Sequence, residues 1–353
     1  MAPLTRRNLI RGLGLLAILS AGAIFAALHH PQPALAPDPG RLTETIPDET
    51  TLFFAGDIML SRHVAEKMFA ADDFDLPFEK VADWISQADI SFANLESPFS
   101  DQGPRLPEGL VFKAQPQAAA GLTYAGFDVL STANNHTYDQ DEYGIDYTLR
   151  LLQDRGILPV GTQPTDGSIL PPAVITKNQT RFGFLAYSYA AHNDGGAIPS
   201  PYVADFNDLP AMTQAVKTMK AQQADVVIVS MHAGTEYTAA PTAAQVAFAH
   251  AAIDAGADLV IGAHPHWIQT AEQYKNKWIF YSLGNFIFDQ MWSEPTRQGL
   301  TLLATYRGRD LQKIELRPVI IDDYCCARPA TTDESQAILA RLGLTSPILV
   351  DNN

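Results

Sequence analysis

The sequence predicts an α/β protein of two mixed sheets with helices outside, and three observations predict it. Short apolar runs alternate with helical stretches from residue 51 to residue 264, as in parallel strands joined by crossover helices. Hairpin-like segments around residue 178 and after residue 268 add antiparallel strands. The 353-residue chain is 46% hydrophobic, which suffices to bury a large core.

The elements follow in order. "TLFFAGDI" (51–58) is the first strand, and "SRHVAEKMFA" is helical after it. "PFEKVADWISQA" (77–88) reads as a helix and "DISFANLE" (89–96) as the next strand. "QPQAAAGLTYAG" leads into strand "FDVLSTAN" (127–134), and helix "YGIDYTLRLLQDRG" (143–156) closes on Gly156. "AVITK" and "RFGFLAYSY" form a hairpin across the polar turn "NQT". Helix "PAMTQAVKTMKAQQ" precedes strand "DVVIVSMH" (225–232), and helix "TAAQVAFAHAAIDAG" precedes strand "DLVIGAH" (258–264). Four antiparallel strands come next: "IQTAEQY", "KWIFYSLGNF", "LTLLATYRG" and "LQKIELRPVII". "DESQAILARLG" is the final helix.

Residues 1–36 read as an export signal or membrane anchor. Arg6, Arg7 and Arg11 precede or open an apolar run at 12–28, and "ALA" at 34–36 resembles a cleavage site. "TRRNLIR" looks like a twin-arginine export signal. Pro37 disfavours cleavage, so an uncleaved anchor stays open. Pro-rich residues 37–49 read as a linker, 50–325 as the main domain, and 326–353 as a C-terminal helix and tail. The body is thus expected in the periplasm or outside the cytoplasm, soluble or held at the membrane. Removing residues 1–36, with three arginines and no acid, takes the formal net charge from −15 to −18. So acidic a body excludes a broad nucleic-acid partner, which needs a basic surface. The adjacent Cys325 and Cys326 are expected to be free thiols, because a bridge between neighbours is strained.

Five of the predicted strands end in polar residues able to hold a metal. They are Asp57 in "FFAGDIML", Glu96 in "FANLESP", Asn135 and His136 in "TANNHTYD", His232 in "VSMHAGTEY", and His264 with His266 in "GAHPH". In α/β sheets ligands bind beyond the carboxyl ends of strands, so a shared sheet edge would gather them. Carboxylates, an amide oxygen and imidazoles suit Zn, Mn or Fe better than Ca, which takes oxygen alone. One strand-end histidine is usually a satisfied polar residue; five polar endings in one chain are not explained that way. His63 and His250 fall on helices and His192 in a Gly-rich loop, with no metal role.

The ordered set "GDIML", "NLESP", "NNHTYD", "HAGTEY", "GAHPH" and "SLGNFIFDQ", over residues 50–290, resembles the CapA family of capsule and poly-γ-glutamate synthesis proteins. That family lies in the calcineurin-like metallophosphoesterase superfamily. The resemblance implies a four-layer α/β/β/α sandwich with one or two divalent transition-metal ions (Mn, Zn or Fe). By the same resemblance Asp57 bridges two metals, Glu96 and Asn135 ligate, His232 and His264 share one metal, and His266 takes the other. His136 then faces the substrate as general acid, oriented by Asp139. Superfamily enzymes carry Asp-x-His at the first motif, where this chain has Asp57-Ile58-Met59, which removes a ligand from the position of Asp57, Glu96 and His266. Glu236 in "HAGTEY" has three open readings: general base, extra ligand or strand-end cap. The implied activity is metal-dependent hydrolysis or transfer on an anionic polymer, or on a phosphorylated or γ-glutamyl small substrate. The alternatives are a phosphoesterase with another envelope substrate and a tethered accessory subunit of a membrane-bound synthase.

Overall fold

The computed structural model describes residues 48–102, 110–193, 200–344 and 346–350. The readings made on residues 1–36, and on 37–49 up to residue 47, lie outside the described residues. Among those described, no helix is long and apolar enough to cross a membrane.

The chain builds half of one sheet, completes a second, and returns to finish the first. The first half is β1 (Glu49–Ile58), β2 (Ile90–Leu95), β3 (Val129–Ser131) and β4 (Leu158–Val160). The second sheet holds β5 (Val174–Lys177), β6 (Thr180–Ser188), β7 (Val226–His232), β8 (Leu259–Ala263), β9 (Ala271–Tyr274) and β10 (Lys277–Phe280). The return supplies β11 (Asn285–Ile287), β12 (Gln298–Arg307), β13 (Asp310–Asp322), β14 (Cys326–Pro329) and β15 (Ile348–Val350). The first sheet runs β14-β13-β12-β1-β2-β3-β4, with β11 also on β1 and β15 on β13; the second runs β5-β6-β7-β8-β10-β9. Both are mixed. The pairs among β1 to β4 are parallel, as are β6/β7, β7/β8 and β8/β10, while β12, β13, β5 and β9 add antiparallel partners.

The period-two alternation of strands explains the layers. In β1, Leu52 and Phe54 enter the core between the sheets, whereas Phe53 and Ala55 face outward. Val226 and Ile228 of β7 share that central core, and Val227 and Val229 point to the opposite face. Phe92 of the first sheet stacks on Phe184 of the second, with centroids 5.8 Å apart and planes at 6°. Outside the first sheet lie Val64 and Met68 of α1 (Arg62–Ala71), Ile85 of α2 (Ala82–Ser86) and Leu122 of α3 (Ala119–Ala125). Next along the chain is α4 (Asp141–Gln153). Outside the second sheet lie Met212 and Val216 of α5 (Leu209–Gln222), and Phe248 of α6 (Ala243–Ala255). The result is the four-layer α/β/β/α sandwich. Strands buried on both faces read as continuous apolar runs, which is why the sequence marks them clearly.

Two differences from the sequence reading have physical causes. "KWIFYSLGNF" is not one antiparallel strand: β10 lies parallel to β8 in the second sheet, and β11 parallel to β1 in the first. The chain changes sheets between them at Gly284, whose φ of 69° suits glycine. The segment 77–88 is helical only over Ala82–Ser86, after a run of turns. Among the described residues beyond 325, the helix is α7 (Thr332–Arg341), and around it β14 and β15 pair with β13 while Ile338 and Leu339 enter the central core.

Candidate metal centre

Asp57, Glu96, Asn135, His136, His232, His264 and His266 all lie at or just beyond the carboxyl ends of β1, β2, β3, β7 and β8. All are at most 4% exposed. The first sheet delivers Asp57, Glu96, Asn135 and His136, and the second delivers the other three histidines.

The contacts join them into one cluster. Asp57, Glu96 and His266 each offer a ligand atom within 4.8 Å of the others. His266 Nε2 is 3.7 Å from Glu96 Oε1, and His266 Nδ1 is 3.5 Å from Asp57 Oδ2. His232 Nδ1 lies 4.0 Å from Asp57 Oδ1, and His232 Nε2 is 2.8 Å from Asn135 Oδ1. The His264 ring centroid is 4.8 Å from that of His232 and 6.1 Å from that of His266. His136 Nε2 reaches within 3.8 Å of Glu96 Oε1. On its other side, His136 Nδ1 is 2.6 Å from Asp139 Oδ2, and the ring stacks on Phe112 at 3.8 Å. Asp139 also accepts the Phe112 backbone N–H at 2.6 Å, so one carboxylate holds the imidazole and the main chain of the residue it stacks on.

Glu236 is exposed where the cluster is buried, yet its charge is near enough to add to the burial-led rise of the Glu96 carboxyl. The same charge helps raise the neighbouring Tyr237 phenol above the usual range, an effect led by burial. His63 pairs with Asp289, His250 with Glu272, and His192 stacks on Tyr138. Cys325 and Cys326 are both free.

The loop carrying "GAHPH" is strained. His264 and His266 have φ of 97° and 56°, conformations that cost about 1–3 kcal/mol each and persist only where the surroundings hold them. Here the His264 N–H donates to Asp57 Oδ2 (3.2 Å), and the Tyr237 N–H donates to the Pro265 carbonyl (2.8 Å).

Whether the donors fit a metal is decided by what they lack. Both Glu96 oxygens and His264 Nδ1 are buried with no hydrogen-bond partner among the described residues. Such atoms are costly to bury unless something else occupies them. Burial raises the Glu96 carboxyl well above the usual range, and the adjacent Asp57 charge adds to it. Burial, reinforced by neighbouring imidazoles, holds His232 and His264 well below theirs, so both rings are neutral at neutral pH and each carries a lone pair, that of His264 Nδ1 without a partner among the described residues. A divalent cation would relieve the carboxylate repulsion and take those lone pairs; the residues fit one. Met59 contributes nothing here, because its sulfur accepts from the Ser61 N–H (3.2 Å) and hydroxyl (2.9 Å).

Sequence reasoning missed two asparagines. Asn94 donates to Asp57 Oδ1 at 2.8 Å and approaches His232 Nδ1 at 3.2 Å. Asn285, in "SLGNF", lies 2.9 Å from His266 Nδ1. A signal existed for Asn94: it is two residues before Glu96, hence on the same face of a largely apolar strand.

Fold and site define a four-layer α/β protein with a buried cluster of carboxylates and imidazoles at one rim of its two sheets. Residues 51–290 match the model of the family described as bacterial capsule synthesis protein PGA_cap. The chain belongs to that family. It is 31% identical over 272 residues to "Capsule biosynthesis protein CapA" of Bacillus anthracis, covering 74% of this chain and 65% of that protein. It is 30% identical over 287 residues to "PGA biosynthesis protein CapA" of Bacillus subtilis (strain 168), covering 78% and 73%. Among solved structures, the NAD nucleotidase of Haemophilus influenzae aligns with a TM-score of 0.47 and 12% identity, over 84% of this chain and 62% of that one.

Proposed function

We propose that the chain is an exported, metal-dependent hydrolase or transferase of capsule assembly, acting on a poly-γ-glutamate-type polymer or its phosphorylated or γ-glutamyl precursors. Family membership and the names of the two Bacillus relatives support the polymer. The N-terminal sequence supports work outside the cytoplasm. One observation carries the enzymatic part: the His136–Asp139 pair, 2.6 Å apart, turns its free ring nitrogen toward the same buried donors that fit a cation.

Asp57, Glu96 and His266 would hold one ion, with Asn135, His232 and His264 beside them. When bound, a divalent cation polarises a phosphoryl or acyl oxygen and offsets the charge of an acidic substrate. His136 moves a proton at Nε2, and the Asp139 carboxylate stabilises its imidazolium form. Burial of the cluster excludes bulk water, which strengthens these interactions.

The test is metal analysis of the purified full-length chain, coupled to turnover of γ-glutamyl peptides and phosphoesters by wild type and His136→Ala. We expect retained metal and lost turnover in the variant. A metal-loaded wild type inert on both substrate classes counts against the enzyme. A second reading is a metal-stabilised accessory subunit of a membrane-bound synthase. Complete burial of Asp57 and Glu96, and Met59 in place of a histidine, favour it. Capsule production that survives His136→Ala selects that reading.

A further inference from the structure

We propose that Asn285 is a positioning residue of the site: its amide oxygen holds His266 in the Nδ1–H tautomer, so that Nε2 carries the lone pair facing Glu96. The proposal rests on the metal reading above, and the chain of hydrogen bonds behind it starts from an unambiguous atom. Asn285 is fully buried, and its Nδ2 lies 2.9 Å from the Thr296 backbone carbonyl, which can only accept. The atom facing that carbonyl is therefore the amide nitrogen, and the opposite atom, 2.9 Å from His266 Nδ1, is the oxygen. An oxygen there requires Nδ1 to carry the proton. Nε2 is left to face Glu96 Oε1 at 3.7 Å.

The surrounding bonds agree. Asn285 Nδ2 also donates to Gln290 Oε1 (3.2 Å), and Gln290 uses its own amide nitrogen on the Tyr237 hydroxyl (3.3 Å). The acceptor at Thr296 is fixed in turn, because the Thr296 hydroxyl donates to the Gln290 carbonyl (2.7 Å). The backbone delivers Asn285 to this place. β11 lies parallel to β1 with Asn285 in register with Asp57, and the Asp57 N–H donates to the Gly284 carbonyl at 3.1 Å. That approach is possible because Gly56 has no side chain: a Cβ there would sit 1.9 Å from the Gly284 oxygen. "SLGNF" thereby acquires a role as the segment that crosses between sheets to orient a histidine held by the other one. A neutral amide leaves the imidazole a weaker donor than a carboxylate partner would.

The test uses the full-length chain, first freed of metal, with nitrogen NMR of labelled histidine to read the His266 tautomer. Zn affinity is then measured by chelator competition. Wild type should show Nδ1–H. Asn285→Leu removes the acceptor at 2.9 Å and leaves Nδ1 only Asp57 Oδ2 at 3.5 Å, so the Nδ1–H preference should weaken and the Zn affinity fall about 10–100-fold. Asn285→Asp keeps the acceptor toward Nδ1 but loses the bonds donated to Thr296 and Gln290, so it should lower stability yet restore the Nδ1–H tautomer, a split that a purely structural role would not produce. Should Asn285→Leu not fold, Asn285→Ser, too short to reach His266, replaces it with the same expectation. An Nε2–H tautomer in wild type overturns the proposal, as does a folded acceptor-less variant that binds Zn as tightly as wild type. A wild-type chain that takes up no metal overturns the metal reading itself, a separate result.

Discussion

Replacing Glu96 by glutamine separates a site built for a cation from a merely polar core. Glu96 is fully buried, neither oxygen has a hydrogen-bond partner among the described residues, and Asp57 faces it as a like charge. A buried polar group left unsatisfied costs about 1–3 kcal/mol, and more when charged. Glutamine keeps the shape, removes the charge, and offers Asp57 a donor. Glu96→Gln is therefore expected to stabilise the metal-free protein by about 1–3 kcal/mol at pH 8. At about 2–4 °C per kcal/mol for a domain near this size, the melting midpoint rises by roughly 2–12 °C. The same change should weaken metal binding. Wild type at a hundredfold excess of Zn over Kd gains about 2.7 kcal/mol, and the variant should gain little. Thermal melts in chelator and in Zn or Mn give all four values. A variant that melts below wild type in chelator refutes the reasoning, for the carboxylate would then be making stabilising bonds in the empty fold.

Acid should destabilise the metal-free protein through His232 and His264. Their pKa values are lowered by burial, so their contribution is fully present above the unfolded value near 6.5 and lost as pH falls below it, by at most about 1.4 kcal/mol per pH unit for each. Glu96 has the opposite sign: its raised pKa gives stability present at low pH and lost as pH rises through the folded value. Urea midpoints from pH 7 to 5 are thus best measured in Glu96→Gln, and a flat profile there contradicts the prediction. His232→Ala and His264→Ala should each lower the metal content per chain by elemental analysis, and unchanged stoichiometry in both removes them from the ligand set. Gly56→Ala places a Cβ 1.9 Å from the Gly284 oxygen, so about 3 kcal/mol or more should be lost in urea unfolding. A loss below 1 kcal/mol would show that β11 can move away from β1.

How much of this was legible in the sequence depended on whether a residue's signal was local. Runs such as "DVVIVSMH" were plain because both faces of the sheet are covered, so the positions before the polar ending are mostly apolar. The gathering of those endings followed from strand direction, since parallel strands share one carboxyl rim. The sheet change inside "KWIFYSLGNF" was not readable, because an apolar run looks the same in either sheet and only Gly284 marks the break. Three-residue β3, β4 and β11 fall below the length at which periodicity speaks, and β4 was missed altogether. Asn94 and Asn285 escaped because an amide in a strand carries no chemistry of its own; their meaning lies in the imidazoles that the other sheet brings to them.

That dependence on both sheets explains where the strain sits. Asp57 belongs to the first sheet, yet its Oδ2 accepts the N–H of His264 from the second, at 3.2 Å. The left-handed backbone at His264 and His266 is thus held partly by a residue that is itself a candidate ligand. Protein contacts already aim the donors before any cation arrives, since Asn94 orients Asp57 at 2.8 Å and Tyr237 pins Pro265 at 2.8 Å. A loop arranged only by the ion would need no such bonds. Cation affinity should then follow the packing of the two sheets as closely as the identity of the ligands, because separating the sheets divides the donor set in half.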